Sequence, residues 1–267
     1  MHGRVLVVAG SDSGGGAGIQ GDIKTITTLG GYAATAITAL TAQNTRGVYG
    51  IHDVPEAFIA QQITLVLEDI GADCIKTGML HKAYVINAVA DSLASYRDIP
   101  LVLDPVMFAK GGSPLLEPEA LDSLKEILVH HATLITPNIP EAEFLCGFSI
   151  RSVDDMRKAA HSILELGCNA VLLKGGHLEG DELTDILVTS DTEQEFTSRR
   201  MHTPHTHGTG CTLASAIATG LAQQYSLADS VQRARYYVQQ AIAQAPGLGK
   251  GHGPLGHGCW MDIQDSA

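Results

Sequence analysis

The sequence predicts an α/β fold, a three-layer α/β/α sandwich around a central, mostly parallel sheet. Short and unbroken apolar runs recur along the chain, as in strands that are covered on both faces. Segments of helical period separate these runs, and glycine or polar residues follow most of them. Strands that alternate with helices favour right-handed crossovers, which place helices on both sides of the sheet.

The strands are predicted from the apolar runs in chain order. They are residues 4–9, 34–40, 74–77, 101–103, 133–135, 170–173 and 185–188. The helices are predicted from apolar residues that recur every three or four positions and form one stripe. Three such stripes are clear: Ile19, Ile23, Ile26 and Leu29; Val85, Val89 and Leu93; Leu213, Ile217, Gly220 and Leu221.

Two helix starts carry capping residues. Ser152 is followed three residues later by Asp155, and Ser226 by Asp229. A serine oxygen at such a position accepts a hydrogen bond from a free amide of the first helical turn. The capping residues therefore predict helices that begin directly after Ser152 and Ser226.

Composition limits the class of protein. With 267 residues, 45% of them hydrophobic, the chain can bury a large core, and we expect one domain over residues 1–267. A net charge of −12 disfavours nonspecific binding to nucleic acid or to an anionic membrane. The five cysteines lack the spacing of a disulfide framework, so we expect free thiols. No uninterrupted apolar run reaches 18 residues and the first residues lack a signal-peptide pattern, so we expect a cytoplasmic protein.

Glycine and polar residues gather directly after the apolar runs. In an open α/β sheet, ligands bind just beyond the carboxyl ends of the strands, so these loops predict a site along one edge of the sheet. The alternative explanation for any single loop is that such connections are generally polar. Six loops of matching character favour a site, and they begin at Gly10, Thr41, Gly78, Asp104, Thr136 and Lys174.

The segment from His205 to Thr212 is the most informative of the local motifs. Gly208, Thr209 and Gly210 lead straight into the helix that contains Leu213. Glycines allow several amides to point at one place, and the helix end adds about half a positive charge. The segment predicts an anion hole, and the alternative is an ordinary glycine-containing helix start.

Cys211 lies at the predicted positive end of this helix, where the pKa of a thiol falls and the thiolate becomes a base or nucleophile. The alternative is an inert buried cysteine. A zinc site formed by His202, His205 and His207 with Cys211 is a further alternative, but its spacing departs from that of ordinary zinc ligands.

Three charged residues suggest a phosphate and metal site. Magnesium is commonly held by one or two carboxylates, which Asp104 and Glu141 could supply. For Glu141 the alternative is a first-turn helix carboxylate that the helix dipole favours. Lys174 ends an apolar run, so it is either a phosphate contact or a solvated lysine at a strand end.

Seven segments form an ordered set between residue 10 and about residue 222. They are residues 10–25, 38–45, 76–80, 104–112, 136–143, 174–177 and 207–213. Each segment alone is a modest signal, whereas the set is highly specific. Together they resemble the hydroxymethylpyrimidine/phosphomethylpyrimidine kinase family.

The resemblance implies a ribokinase-like fold, usually dimeric, that uses magnesium and ATP to phosphorylate the pyrimidine alcohol and then its monophosphate. By position, Gln43 resembles the residue that recognises the pyrimidine ring, and Asp22, Gly10 and Met79 line its pocket. The remaining positions imply the phosphoryl-transfer groups. These are Lys174 as a phosphate contact, Asn138 and Glu141 as the magnesium-associated motif, Gly208, Thr209 and Gly210 as the anion hole, and Cys211 as the base.

Two residues depart from the family pattern: Gly21 stands where alanine is frequent, and His205 where asparagine is frequent. Residues 181–200 match little, and we assign them no function. Three rival functions remain open. They are a pyridoxal or pyridoxamine kinase, a pyrimidine-binding sensor without catalysis, and a metal-binding protein organised by the 12 histidines.

Overall fold

The computed structural model describes residues 2–109, 111–112 and 114–260. The strands in these residues are β1 (Arg4–Asp12), β2 (Tyr32–Asn44), β3 (Gly47–Asp53), β4 (Cys74–Thr77), β5 (Leu101–Leu103), β6 (Leu134–Ile135), β7 (Ala170–Lys174), β8 (Glu182–Thr189) and β9 (Glu193–Arg199). They form one sheet of nine strands in the order β3-β2-β1-β4-β5-β6-β7-β8-β9.

The centre of the sheet is parallel. Strand β1 pairs in parallel with β2 and β4, and the parallel pairing continues through β5 and β6 to β7. Strand β3 is antiparallel to β2, β8 is antiparallel to β7, and β9 is antiparallel to β8. The predicted mostly parallel sheet is confirmed, with antiparallel strands at both edges.

The helices are α1 (Gly18–Thr28), α2 (Glu56–Asp69), α3 (Ala83–Leu93), α4 (Ala120–Ser123), α5 (Ile139–Cys146), α6 (Val153–Leu164), α7 (Thr209–Ala222) and α8 (Leu227–Ala243). Both predicted caps are confirmed, since Ser152 Oγ accepts from Asp155 N and Ser226 Oγ from Asp229 N, each at 3.1 Å. Of the helices in the described ranges, none has both the length and the apolar character needed to cross a membrane.

Two apolar clusters place a helical layer on each face of the sheet. Leu6 and Val8 of β1 pack in a cluster with residues of α2, α3, α5 and α6. Val5 and Val7, which point to the opposite face, pack in a second cluster with residues of α1, α7 and α8. The three-layer α/β/α sandwich is therefore confirmed.

Strands β3 and β9 were not predicted. Both lie at an edge of the sheet, and their side chains are largely exposed, such as Tyr49 with 69% of its surface exposed. A continuous apolar run identifies strands that are buried on both faces. An edge strand with a solvent-exposed face has no such run and is therefore not predicted. Residues 181–200, which were assigned no function, form most of the β8–β9 hairpin.

Candidate active site

A cavity of about 810 Å³ opens at the carboxyl ends of the parallel strands, where the polar loops were expected. It brings the predicted site residues together, with the single exception of Asp22. The predicted residues that line it are Gly10, Gln43, Met79, Asp104, Asn138, Glu141, Lys174, Gly208, Thr209, Gly210 and Cys211.

Irregular strand pairing shapes the end of the cavity near β2. The register between β1 and β2 shifts between Ala9 and Ser11, and the register between β2 and β3 shifts at Gln43. Such irregularities redirect side chains at the end of a strand. Gly10 lies against Met79, since a Cβ at Gly10 would be 3.1 Å from the Met79 sulfur. This end of the cavity therefore combines the Gln43 amide with close apolar packing at Met79.

A buried hydrogen-bond network that sequence reasoning missed holds this end of the cavity. Asp12 Oδ2 is 2.8 Å from His207 Nε2, and Asp12 also accepts hydrogen bonds from the amides of Gly14 and Ala17. Burial raises the pKa of Asp12, but these hydrogen bonds outweigh it and the net shift is downward. Asp12 therefore links the β1–α1 loop to the segment that leads into α7, and Gln43 Nε2 lies 3.5 Å from the same His207 nitrogen.

The predicted anion hole lies at the start of α7. Gly208 caps the helix with φ of +86°, and a Cβ there would overlap the carbonyl oxygen of Gly16, so only glycine fits. Thr209 Oγ1 donates to Thr206 O at 2.8 Å, which ties down the first turn. The amides of Gly210 and Cys211 belong to this turn and have no acceptor earlier in the helix, so they are available to an anion.

Cys211 lines the cavity and is partly exposed, but its acidity is the reverse of the prediction. Burial raises the pKa of the Cys211 thiol to about 12. The Lys76 ammonium lowers that pKa, whereas the carboxylates of Asp22 and Asp104 raise it. The sequence suggested a reactive thiolate because a helix start lowers the pKa of a thiol. Burial and the two nearby carboxylates, which the sequence did not reveal, raise that pKa by more than the helix start lowers it.

The charged residues predicted to handle phosphate and metal lie together. Lys174 Nζ is 3.4 Å from Asp104 Oδ1, and Thr136 Oγ1 donates to the same carboxylate oxygen at 3.3 Å. Burial lowers the pKa of Lys174, but the carboxylates of Asp104 and Glu141 outweigh burial and raise it. Lys174 is thus a mostly buried cation that is paired with Asp104, and not a solvated lysine at a strand end.

The first-turn helix role considered for Glu141 is confirmed. Its carboxylate accepts from Asn138 N at 2.8 Å while Asn138 Oδ1 accepts from Glu141 N at 3.0 Å, which is a complete capping box at the start of α5. Glu141 also lines the cavity, although it is only 4% exposed. Burial raises the pKa of Glu141 to about 7, with Lys174 opposing and Asp104 reinforcing this shift.

Asp22 does not line the cavity. Its side chain has no exposed surface, and its carboxylate is 3.0 Å from Lys76 Nζ and 2.7 Å from Ser215 Oγ. Lys76, which sequence reasoning did not select, lines the cavity in its place. The available signal was a lysine inside the apolar run 74–77, because a buried ammonium needs a carboxylate partner.

The far end of the cavity is built by residues that no motif indicated. Arg235 of α8 forms an ion pair with Asp185 of β8 and donates to Ser198 Oγ at 3.1 Å. Asp185 Oδ1 in turn accepts from Gly175 N at 2.9 Å, so this pair holds the turn after Lys174. Burial lowers the pKa of Arg235 to about 10.

Two of the three histidines considered for zinc are paired with carboxylates. His202 lies 3.3 Å from Asp181, and His207 is paired with Asp12. In residues 2–109, 111–112 and 114–260, no three His, Cys, Asp or Glu side chains are grouped so as to hold a metal ion. The five cysteines, all within the described residues, form no disulfide, which agrees with the prediction of thiols. Lys110, within one of the segments that carry the family resemblance, lies outside the described residues.

Comparison with known proteins agrees with this geometry. A family model described as phosphomethylpyrimidine kinase matches residues 12–256. The hydroxymethylpyrimidine/phosphomethylpyrimidine kinase of Bacillus subtilis is 45% identical over 95% of the chain and 94% of its own length. A thiamine biosynthesis bifunctional protein of Geobacter sulfurreducens is 54% identical over 96% of the chain, and the chain spans 52% of that protein's length.

Solved structures show the same fold. A phosphomethylpyrimidine kinase of Clostridium difficile matches with a TM-score of 0.81 and 43% identity, covering 90% of this chain and 99% of that one. An ADP complex of Bacillus subtilis pyridoxal kinase matches with a TM-score of 0.91 and 34% identity, covering 98% and 99%. The expected ribokinase-like architecture is confirmed, and the chain belongs to the phosphomethylpyrimidine kinase family.

Proposed function

We propose that this chain uses ATP to phosphorylate 4-amino-5-hydroxymethyl-2-methylpyrimidine and then its monophosphate, in thiamine biosynthesis. One observation carries the proposal: a single cavity joins an amide-bearing, apolar end to a phosphate-binding end in a chain of this family. The names of the Bacillus subtilis and Escherichia coli relatives, each 45% identical over 95% of the chain, state both activities.

The pyrimidine ring binds at the end formed by Gly10, Gln43 and Met79. The Gln43 amide both donates and accepts, which suits a ring nitrogen beside an amino group. Gly10 leaves room for the flat ring, because a side chain at this position would meet Met79. Asp22 does not contact the ring; its carboxylate pairs with the Lys76 ammonium and so holds Lys76 in the cavity lining.

The phosphates of ATP bind at the other end, against Lys174 and the first-turn amides of Gly210 and Cys211. Asn138 and Thr209 also line the cavity, and we assign them to the binding of the nucleotide. A structure of the Staphylococcus aureus pyridoxal kinase with AMP-PCP and pyridoxal, 32% identical, supports a bound nucleotide in this fold. Fixed positive charge here stabilises the negative charge of the transferring phosphoryl group.

Magnesium fits the donor set of the cavity. Asp104 and Glu141 present carboxylate oxygens, the ligands that this cation prefers, and two carboxylates suffice when phosphates and water complete its coordination. Bound there, the ion would neutralise phosphate charge. Protonation of Glu141 competes with this role, since its pKa is raised to about 7.

Cys211 serves the first phosphorylation as the proton acceptor for the pyrimidine hydroxyl. Its raised pKa keeps the group a neutral thiol near neutral pH, so it accepts the hydroxyl proton only after losing its own, a loss that the Lys76 ammonium favours. Once formed, the thiolate is a strong acceptor. In the second phosphorylation a phosphate oxygen attacks, and that oxygen has no proton to lose. Cys211 therefore matters less in the second step.

Pyridoxal kinase activity is the second candidate, because structures of two pyridoxal kinases, from Bacillus subtilis and Staphylococcus aureus, match with TM-scores of 0.90 to 0.91 at 32–34% identity. An assay of ATP consumption over hydroxymethylpyrimidine, its monophosphate, pyridoxal, pyridoxine, ribose and hydroxyethylthiazole decides between them. Turnover of pyridoxal far above both pyrimidines would refute the proposed function. Binding without ATP consumption would indicate a sensor.

We also propose one domain over residues 1–267, a homodimer and a cytoplasmic location. The continuous nine-stranded sheet supports the first of these. Light scattering on the purified protein tests the second, and fractionation of the source cell tests the third.

A further inference from the structure

The glycine-rich tail after α8 packs closely against the cavity rim. Downstream, Leu255 and Cys259 are buried in the apolar cluster that contains α7 and α8. The preceding residues 249–254, here called the tail strap, contact the β2–β3 turn at Thr45 and the segment that leads into α7 at His207. Gly253 within the strap is buried, and His252 lines the cavity.

Thr45 is the main contact of the tail strap on one side. Its Oγ1 accepts from Lys250 N and Gly251 N, both at 3.2 Å, and its carbonyl oxygen accepts from His252 N at 2.8 Å. Side chains would obstruct this contact, since a Cβ at Gly249 or Gly251 would overlap Thr45 atoms. One residue thus satisfies three successive amides of the strap.

The strap contacts His207 on its other side. His207 N donates to Gly253 O at 3.1 Å, and His207 pairs with Pro254 as in a parallel bridge. Gln43 lies two residues before Thr45, and Gly208 follows His207 directly. The strap therefore joins the end of the cavity that recognises the ring to the start of α7.

We propose that Thr45 is a positioning residue that, through the tail strap, fixes the distance between Gln43 and the first turn of α7. A ring held by Gln43 is then presented at a set distance from the amides of Gly210 and Cys211. This inference rests on the proposed function for the identity of the ring. A binding residue that is held in place raises affinity because less order has to be imposed on binding, so a loosened strap weakens pyrimidine binding without any lost contact to substrate.

The test compares Thr45→Val, which keeps the shape but loses the acceptor oxygen, with Thr45→Ser, which keeps that oxygen. Thr45→Ala is a second variant that lacks it. Thr189→Val is the matched control, because Thr189 Oγ1 likewise accepts two amides, from Asp191 and Thr192, in the β8–β9 turn. Two quantities are measured for each folded variant: hydrogen exchange of the 249–254 amides, and KM and kcat for pyrimidine and ATP.

We expect Thr45→Val and Thr45→Ala to speed exchange at Lys250 and Gly251 and to raise KM for the pyrimidine about five- to tenfold, which corresponds to one or two lost hydrogen bonds. KM for ATP stays within about twofold. Thr45→Ser restores both quantities, and Thr189→Val changes neither.

Unchanged exchange in Thr45→Val would overturn the contact, and faster exchange with unchanged pyrimidine KM would overturn the positioning role. Equal rises in both KM values would also overturn it, since they indicate general damage. If the wild type does not phosphorylate the pyrimidine, the proposed function fails, and the exchange comparison still decides whether Thr45 holds the strap.

Discussion

Lys76 Nζ lies 3.0 Å from Asp22 Oδ2, and neither side chain has exposed surface. Ser215 Oγ, one helical turn beyond Cys211 on α7, donates to the same carboxylate at 2.7 Å. Mutual attraction stabilises each charge against desolvation, so the pair places a permanent cation in the lining of the cavity. The same pair influences Cys211, whose thiol pKa Lys76 lowers and Asp22 raises.

Asp22→Asn leaves the Lys76 ammonium buried without a counter-charge. We expect the free energy of unfolding to fall by about 3–5 kcal/mol, measured by urea denaturation. Asp73→Asn is the control, because the Arg4–Asp73 pair is 47% and 37% exposed, and should cost less than about 1 kcal/mol. Similar losses in both variants would show that the buried pair is not a special source of stability.

Gln43→Ala should weaken pyrimidine binding by about 1–3 kcal/mol, because a donor and an acceptor to the ring are lost together. Affinity for ATP, also measured by calorimetry, should stay close to that of the wild type. Gln194→Ala, at an exposed position of β9, is the matched control and should change neither affinity. Equal losses for both ligands would mean that Gln43 is structural.

Cys211→Ala should slow the first phosphorylation by about a hundredfold or more and the second much less. The reason is that only the first substrate has a proton to transfer. Single-turnover rates on each substrate give the ratio directly. An unchanged first step in the folded variant would remove Cys211 from the mechanism, and equal slowing of both steps would indicate a damaged anion hole.

Glu141 should make stability depend on pH. Because burial raises its folded-state pKa to about 7 from an ordinary 4.5, the folded protein binds more protons than the unfolded chain between these values. This contribution is present below pH 4.5 and is lost as the pH rises through 7. Glu141→Gln keeps the capping geometry without titrating, so urea denaturation from pH 4.5 to 8 should show a shallower decline. Identical slopes would contradict the raised pKa.

The sequence predicted the strands that the core requires and not those at the edges. Residues 74–77 and 101–103 are buried on both faces, and each segment begins with apolar residues, so their strands were found with correct bounds. Strands β3 and β9 have exposed faces, and their polar residues resemble a loop. The local hydrophobic pattern of a sequence indicates which residues are buried. At the edge of a sheet, burial depends on neighbouring elements that are distant in sequence, so the local pattern does not identify the edge strands.

The same limit applies to the site. Residues at the carboxyl ends of strands, such as Gln43 and Lys174, could be predicted because parallel strands share one carboxyl edge. The raised pKa of Cys211 could not, since it depends on burial and on carboxylates from β5 and α1. Arg235 and Asp185 form an ion pair although they are 50 residues apart in the sequence, and no local motif predicts such a pair.

Phosphorus NMR of one reaction mixture tests the central claim most directly. The purified chain is incubated with magnesium, hydroxymethylpyrimidine and an excess of ATP, and the phosphorylated products are followed over time. The account predicts that the monophosphate forms first and is converted to the diphosphate, with two ATP consumed for each pyrimidine. Absence of both products, or faster formation of pyridoxal phosphate when pyridoxal is added in equal amount, would contradict it.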